Sequence, residues 1–228
     1  MALKPTARNT SNGAAKAARV FQVETLLKSA GVATQFAPGG RGDAIFTQGE
    51  AGTHVMYVQT GSVQLSVRST TGKEAIVAVL GPGEFFGEAC LAGQSRRMGS
   101  ATAMTPSTIL RVSRTRMVGL IHRQSAVADR LIAHILARNI RAEEDLVDHH
   151  FNSSEKRLAR LLLRLARYRK QYKPAHTAPR ISQRMLATMI GTTRPRINGF
   201  LRKFQRLGFI RDKNGLDVNT SLRTVLHD

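Results

Sequence analysis

The chain has 228 residues, 42% of them hydrophobic, and sets 35 Lys and Arg against 15 Asp and Glu for a formal charge of +20. At about 100–200 residues per domain this is one large domain or two small ones, and so positive a balance implies a polyanionic partner, nucleic acid or an anionic membrane. The single cysteine, Cys90, excludes an internal disulfide framework, a Cys-only zinc site and a Cys-ligated iron–sulfur cluster within one chain, and no apolar run approaches the roughly 20 residues that span a bilayer.

Residues 1–22 carry basic residues, and no acid occurs before Glu24. They have no apolar stretch suited to a secretory signal. The composition is faintly similar to a mitochondrial transit peptide, but it reads as a loose basic arm running into a short helix, over residues 1–32. From Phe36 to Ser113 the runs AIFTQG, VMYVQTG, SVQLSVRS, EAIVAVLG, GSATAM and TILRVS are rich in Val, Ile, Thr and aromatics, with Gly-containing turns between most of them. In SVQLSV, Val63, Leu65 and Val67 fall on one face, the period of a half-buried strand. Many short strands at this spacing predict a barrel or jelly roll, placed over residues 33–124.

The pattern then becomes helical. No Pro or Gly interrupts Ser125 to His149, and Val127, Leu131, Ile135, Leu136, Ile140, Leu146 and Val147 recur at helical spacing. A helix near 25 residues with a narrow apolar stripe, placed over 125–151, predicts pairing with a second copy; because Arg138 and Glu143 interrupt the stripe, a core helix of one monomer is the alternative. Ser153 or Ser154 can cap a further helix, and the segment from Lys173 to Arg180, with two prolines, reads as a loop.

Charge divides the chain at Phe151. Residues 1–151 have a balance of +6, whereas 152–228 hold 18 basic and 4 acidic residues, a balance of +14. The polyanion-binding work therefore belongs to the C-terminal unit. There Ser182 caps a helix that Gly191 ends, and Thr193 caps a second helix with Pro195 in its first turn. Two short helices around a Gly-containing turn form a helix-turn-helix, and Asn214-Gly215 between extended segments predicts a hairpin. Together they predict a winged helix over 152–228. A recognition helix reads bases with its first turns, which assigns Arg194, Arg196 and Asn198 to base edges and Thr193 to the helix start. Ser182 and Gln183 suit phosphate, and Lys203 lies further along, on phosphate or solvent.

A second constellation is GPGEFFGEACLAGQSRRMGSATA. Gly87 permits close backbone approach, and Glu88-Ala89-Cys90 can begin a short helical turn with free N–H groups. Nine residues on, Arg97 heads a strand. An arginine and a carboxylate at such a turn suit a ribose phosphate, the arginine on phosphate and the carboxylate on a ribose hydroxyl. The plainer alternative is that Arg97 pairs with Glu88, or that both are solvated.

Taken with AIFTQGE, MYVQTGSV, the long helix and ISQRMLATMIGTTRPRINGFLRKF, these segments resemble the cyclic-AMP receptor protein and fumarate–nitrate regulator (Crp–Fnr) family of bacterial transcription regulators, from about Ala33 to Asp228. The resemblance implies an α+β chain: an antiparallel jelly-roll sensor, a long dimerisation helix and a C-terminal winged helix-turn-helix. It implies a cytoplasmic homodimer that binds two-fold sites on double-stranded DNA, works with RNA polymerase and catalyses nothing. It places Gly87, Glu88, Ala89, Cys90, Arg97 and Met98 at the ligand, with Ala142 and Glu143 at the purine-contacting positions of the long helix.

Bacterial receptors of this family usually carry Ser or Thr where this chain has Met98, and the missing hydroxyl removes a phosphate hydrogen bond worth about 1.5–3 kcal/mol. Kinase regulatory subunits carry an apolar residue there, and Met98 leans toward cyclic AMP over cyclic GMP. Ala142 has no hydroxyl to offer a base. Of the family's reading positions, which align with Arg194, Pro195 and Gly199, only Arg194 retains the family's residue, so the operator should differ. Two other readings stand beside a cyclic-AMP effector. One is the same fold with a degenerate, ligand-independent cleft. The other is a nucleotide-dependent enzyme using Glu88 and Arg97, for which no Walker loop, metal triad or nucleophile–base pair speaks. The histidines, His149-His150 included, show neither a haem motif nor a metal site.

Overall fold

The computed structural model describes residues 24–27, 33–37, 40–171, 181–212 and 216–226. The expected basic arm, the loop over 173–180 and the Asn214-Gly215 turn lie outside the described residues, apart from a helical turn at Glu24–Leu27.

Eight strands build the N-terminal unit: β1 (Ala33–Phe36), β2 (Ala44–Phe46), β3 (His54–Thr60), β4 (Val63–Arg68), β5 (Glu74–Leu80), β6 (Phe85–Phe86), β7 (Ser100–Ala103) and β8 (Thr108–Ser113). They form two antiparallel four-stranded sheets, ordered β1-β8-β3-β6 and β2-β7-β4-β5. The six strand runs read from the sequence are all present. Strands β1 and β6 are additional, too short to show a period.

Alternation along β3 explains the layering. Met56 and Val58 point between the sheets with Phe46, Leu80, Phe86 and Ile109. Val55 and Tyr57 point to the other side, into a second core with Phe85, Leu110 and Val112. Four consecutive buried residues in β3 follow, one pair for each core. The period-two reading of β4 fails halfway. A register shift between Leu65 and Ser66 turns the strand, so Ser66 is buried and Val67 is only half-buried. Bulges of this kind re-aim side chains beside functional sites.

Helix α1 (Arg114–Arg123) begins at Ser113, whose hydroxyl accepts from Arg116 N, and α2 (Ser125–Phe151) follows. The second sensor core is closed by Met117 and Leu120 of α1 and by Val127 and Leu131 of α2. This corrects the single stripe read from the sequence. Val127, Leu131 and His134 are buried against this chain's own sheet, while Ile132, Ile135, Leu136, Ile140, Leu146, Val147 and Phe151 are exposed.

Helix α3 (Ser154–Gln171) starts beside Ser153, whose hydroxyl accepts from Lys156 N. It folds back along the end of α2, held by Arg164 on Asp145 at 2.6 Å and by Arg160 on the buried Asp148. Helices α4 (Gln183–Ile190) and α5 (Arg194–Arg206) and the strands β9 (Ile210–Asp212) and β10 (Leu216–Val218) complete the winged unit. β9 and β10 pair antiparallel, Asp212 opposite Leu216, as the expected hairpin requires. Leu158, Leu162, Ile197, Phe204 and Leu222 form its separate core, entirely inaccessible to solvent. Ser182 caps α4 through Met185 N, and Gly191 ends it in the left-handed conformation. Thr193 differs from expectation: it sits extended at the start of α5, but its side chain makes no capping bond.

Candidate functional sites: the sensor cleft and the DNA-reading helix

The sensor cleft encloses about 200 Å³ between β4, β5, the turn after β6 and the long helix. Gly87, at φ +72°, opens a 3-10 turn over Glu88–Ala92. A Cβ on Gly87 would stand 2.5 Å from an Arg97 nitrogen, so only glycine leaves room for that guanidinium. Arg97 is 7% exposed. Its Nη1 donates to the Gly87 carbonyl at 2.9 Å, its Nη2 to the His54 carbonyl at 2.8 Å, and it lies over the Phe46 ring. Burial lowers its affinity for a proton, and the neighbouring Cys90, Glu50 and Glu88 partly restore it.

Arg97 and Glu88 do not pair, against the plainer sequence reading. Glu88 Oε1 instead accepts from Arg138 of α2 at 2.6 Å. Among the described residues, Arg97 Nε and Glu88 Oε2 are buried without a hydrogen-bond partner. The two residues that line the cleft thus keep one buried donor and one buried acceptor with bonding capacity left over, a pairing that suits an anion beside a hydroxyl.

Gly87, Glu88, Ala89, Cys90, Arg97 and Met98 all line the cleft. The Cys90 thiol is pushed up by burial, the direction opposite to a reactive thiolate. Ala142 and Glu143 are not among its lining residues and lie on an exposed part of α2, where Glu143 accepts from Asn139 Nδ2. Arg138 is the residue sequence reasoning missed. Its signal was there, a cation interrupting an apolar helical face, and it read as a flaw in the stripe.

In the winged unit, Arg194 and Arg196 are exposed at the start of α5, Thr193 is exposed beside them, and Asn198 is half-buried. The inner face of α5 is fixed by Ile197, Leu201 and Phe204. Lys203 Nζ contacts Glu155 Oε1 at 2.7 Å, so it is already engaged within the chain. Ser182, at the head of α4, lines a groove with Glu74 and Ile76 of the sensor. Gln183 is half-buried next to it. Among the described residues no group of three metal-binding side chains occurs, and no helix is long and apolar enough to cross a membrane.

A cyclic nucleotide-binding domain model matches residues 40–124, and a Crp-like helix-turn-helix domain model matches residues 156–220. The cyclic AMP receptor protein of Thermus thermophilus is 34% identical over 172 residues, 75% of this chain and 77% of that protein. A CRP-like cAMP-activated global transcriptional regulator of Mycobacterium tuberculosis is 28% identical over 173 residues, again 75% of this chain and 77% of the relative. Among solved structures, FixK2 of Bradyrhizobium japonicum superposes with a TM-score of 0.71 at 22% identity, over 86% of this chain and 96% of its own, a likeness of fold. With a buried-arginine cleft in a double-sheet sensor, a long helix behind it and a winged helix-turn-helix beyond, the chain belongs to the Crp–Fnr family of transcription regulators.

Proposed function

We propose that this regulator is a homodimer that binds a cyclic nucleotide, cyclic AMP by preference, and reads two-fold DNA sites with Arg194, Arg196 and Asn198. The sensor is assigned to residues 33–124, dimerisation to 125–151 and DNA reading to 152–228. The observation that carries the ligand reading is that Arg97 and Glu88 line one cleft and that each has a buried atom without a partner, Arg97 Nε and Glu88 Oε2. Arg97 meets the cyclic phosphate and Glu88 accepts from a ribose hydroxyl. The similarity to a cyclic AMP receptor protein of one bacterium and a cAMP-activated regulator of another supports the same reading. It also supports work in the cytoplasm beside RNA polymerase.

The exposed face of α2 supports the dimer. Ile132, Leu136, Ile140, Val147 and their neighbours are each 41–83% exposed, a seam too apolar to be left in water. Calorimetric titration of the full chain with cyclic AMP and cyclic GMP tests the ligand. Binding is expected with cyclic AMP, and Arg97→Ala should weaken it by about 2–4 kcal/mol, tens- to several-hundredfold. Absence of heat with both nucleotides at millimolar concentration overturns the reading.

A second reading, a ligand-independent cleft, is favoured by two observations. Met98 lines the cleft where most bacterial relatives would place a hydroxyl, and Ala142 and Glu143 stay outside it. The same titration separates the two.

A further inference from the structure

We propose that the sensor cleft takes a nucleotide bearing two phosphate groups, with the second phosphate on Arg96. The proposal rests on the reading of the cleft as a cyclic-nucleotide site. Arg96 and Arg97 are consecutive, and consecutive side chains of an extended chain leave opposite faces. Arg97 is accordingly buried and Arg96 exposed, yet both line the cleft. Arg96 is held there by one hydrogen bond, from Nη1 to the Gly49 carbonyl at 2.8 Å. The segment supplying that carbonyl is itself fixed, with Gly49 N on Arg97 O at 2.9 Å and Arg97 N on Glu50 O at 2.8 Å. Gly52 and Gln94 also line the cleft and lie against each other, since a Cβ on Gly52 would stand 3.1 Å from the Gln94 carbonyl. Polar wall therefore extends beyond the cradle that holds Arg97.

Charge points the same way. The lining residues include three guanidiniums, Arg96, Arg97 and Arg138, and one carboxylate, Glu88. Glu88 is already matched by Arg138 at 2.6 Å. Glu50, whose charge Arg97 also feels, does not line the cleft and is held by the Thr47 hydroxyl. A cyclic mononucleotide brings one negative charge, and Arg97 answers it. Arg96 is then a positioned fork of donors with a single backbone bond, suited to a second phosphate. Met98 and Val77, 67% and 57% exposed, supply apolar surface in the same cleft for a base. The enclosed space is about 200 Å³, and Arg96 stands at its exposed edge, so a second phosphate on Arg96 does not have to fit inside it.

Two sources share this chemistry, a nucleoside bisphosphate and a cyclic dinucleotide. The test titrates the full chain, unaltered and as Arg96→Gln, with cyclic AMP, adenosine 3′,5′-bisphosphate and cyclic di-GMP at low ionic strength. At least one of the two diphosphorylated nucleotides is expected to bind about tenfold or more tighter than cyclic AMP, and Arg96→Gln to erase that advantage while cyclic AMP changes by less than about twofold. Which of the two gains identifies the source. Cyclic AMP binding as tightly as both nucleotides that bear two phosphates overturns the proposal and leaves the cyclic-nucleotide reading intact. So does an Arg96→Gln variant that weakens cyclic AMP as much as the others. No binding by any of the three overturns both.

Discussion

Arg138 reaches from the long helix to Glu88 at the head of the 3-10 turn, Nη1 to Oε1 at 2.6 Å. The contact ties the sensor cleft to α2, the element that carries the exposed apolar face. Two further cations of α2 grip the same loop region, Arg130 on the Gly83 carbonyl at 3.4 Å and Arg141 near Glu84 at 3.6 Å. A ligand that draws on Glu88 thus acts on the helix directly. Arg138→Ala leaves the Glu88 carboxylate, 19% exposed, without this cation. A stability loss of about 1–3 kcal/mol is expected, read as a lower urea midpoint. An unchanged midpoint would show the pair to be idle.

Gly87→Ala attacks the cleft from the backbone. The residue is at φ +72°, where a side chain costs about 1–2 kcal/mol, and the new Cβ meets Arg97 at 2.5 Å. Arg97 must leave its carbonyl partners. The expected variant folds with a lowered melting temperature and loses cyclic-nucleotide binding as completely as Arg97→Ala. Retention of full affinity in calorimetry would contradict the cradle described above.

Association and folding should separate along α2. Leu131 is 4% exposed within the sensor core, whereas Leu136 and Ile140 are 56% and 55% exposed. Leu131→Glu buries a charge in this chain's own core and is expected to destabilise the fold by several kcal/mol, about 3–5. Leu136→Glu or Ile140→Glu should leave the fold intact and yield a monomer by sedimentation velocity. A dimer persisting in both would place the contact elsewhere.

His134 gives the sensor core a pH dependence. Its ring lies 6.0 Å from Phe85, is 6% exposed, and has Nε2 buried without a partner among the described residues. Burial first, then the charges of Arg138, Arg141 and Arg130, against a bond with the Phe85 backbone, push its pKa down to about 4 from 6.5. The folded state therefore resists the proton that the unfolded chain accepts. The stability this contributes is full above about 6.5 and is lost as pH falls toward about 4, on the order of 3 kcal/mol in all. His134→Leu should flatten the fall in urea midpoint between pH 7 and pH 5. Parallel curves for the two proteins would refute the assignment.

What could be read from the sequence was what local periodicity controls. The strands with alternating Val and Leu, the unbroken helix from Ser125 and the Gly191 stop each follow from residues within a few positions. What could not be read depended on distant parts of the chain. Leu131 and Ile132 are adjacent and equally apolar, yet one faces the sensor core and the other solvent, because only the sheet decides which face of α2 is covered. The bulge at Leu65–Ser66 lies in a flawless alternating run. Glu88 and Arg97, nine positions apart, were found by their shared segment, while Arg138, fifty positions from Glu88, was not. A similar separation along the chain hid Glu155, which takes Lys203 out of the set of free cations on α5.

That last contact sharpens how DNA recognition can be tested. Arg194 and Arg196 are exposed at the start of α5, where a major-groove helix meets base edges. Losing Arg194 should cost about 1–3 kcal/mol and relax preference at one base pair in each half-site, with half-sites about 34–36 Å apart in a two-fold dimer. Lys203 should behave otherwise. A phosphate must compete with Glu155, 2.7 Å away, so Lys203→Ala weakens all sequences alike and lowers the salt slope by less than one ion. Glu155→Gln removes the competitor and should do the reverse, strengthening binding to any duplex and steepening the slope. Site selection with Arg194→Ala and salt titration with the two other variants measure these separately. An unchanged selected sequence after Arg194→Ala, or a Glu155→Gln variant whose salt slope falls, would mean that α5 does not enter the groove in this orientation.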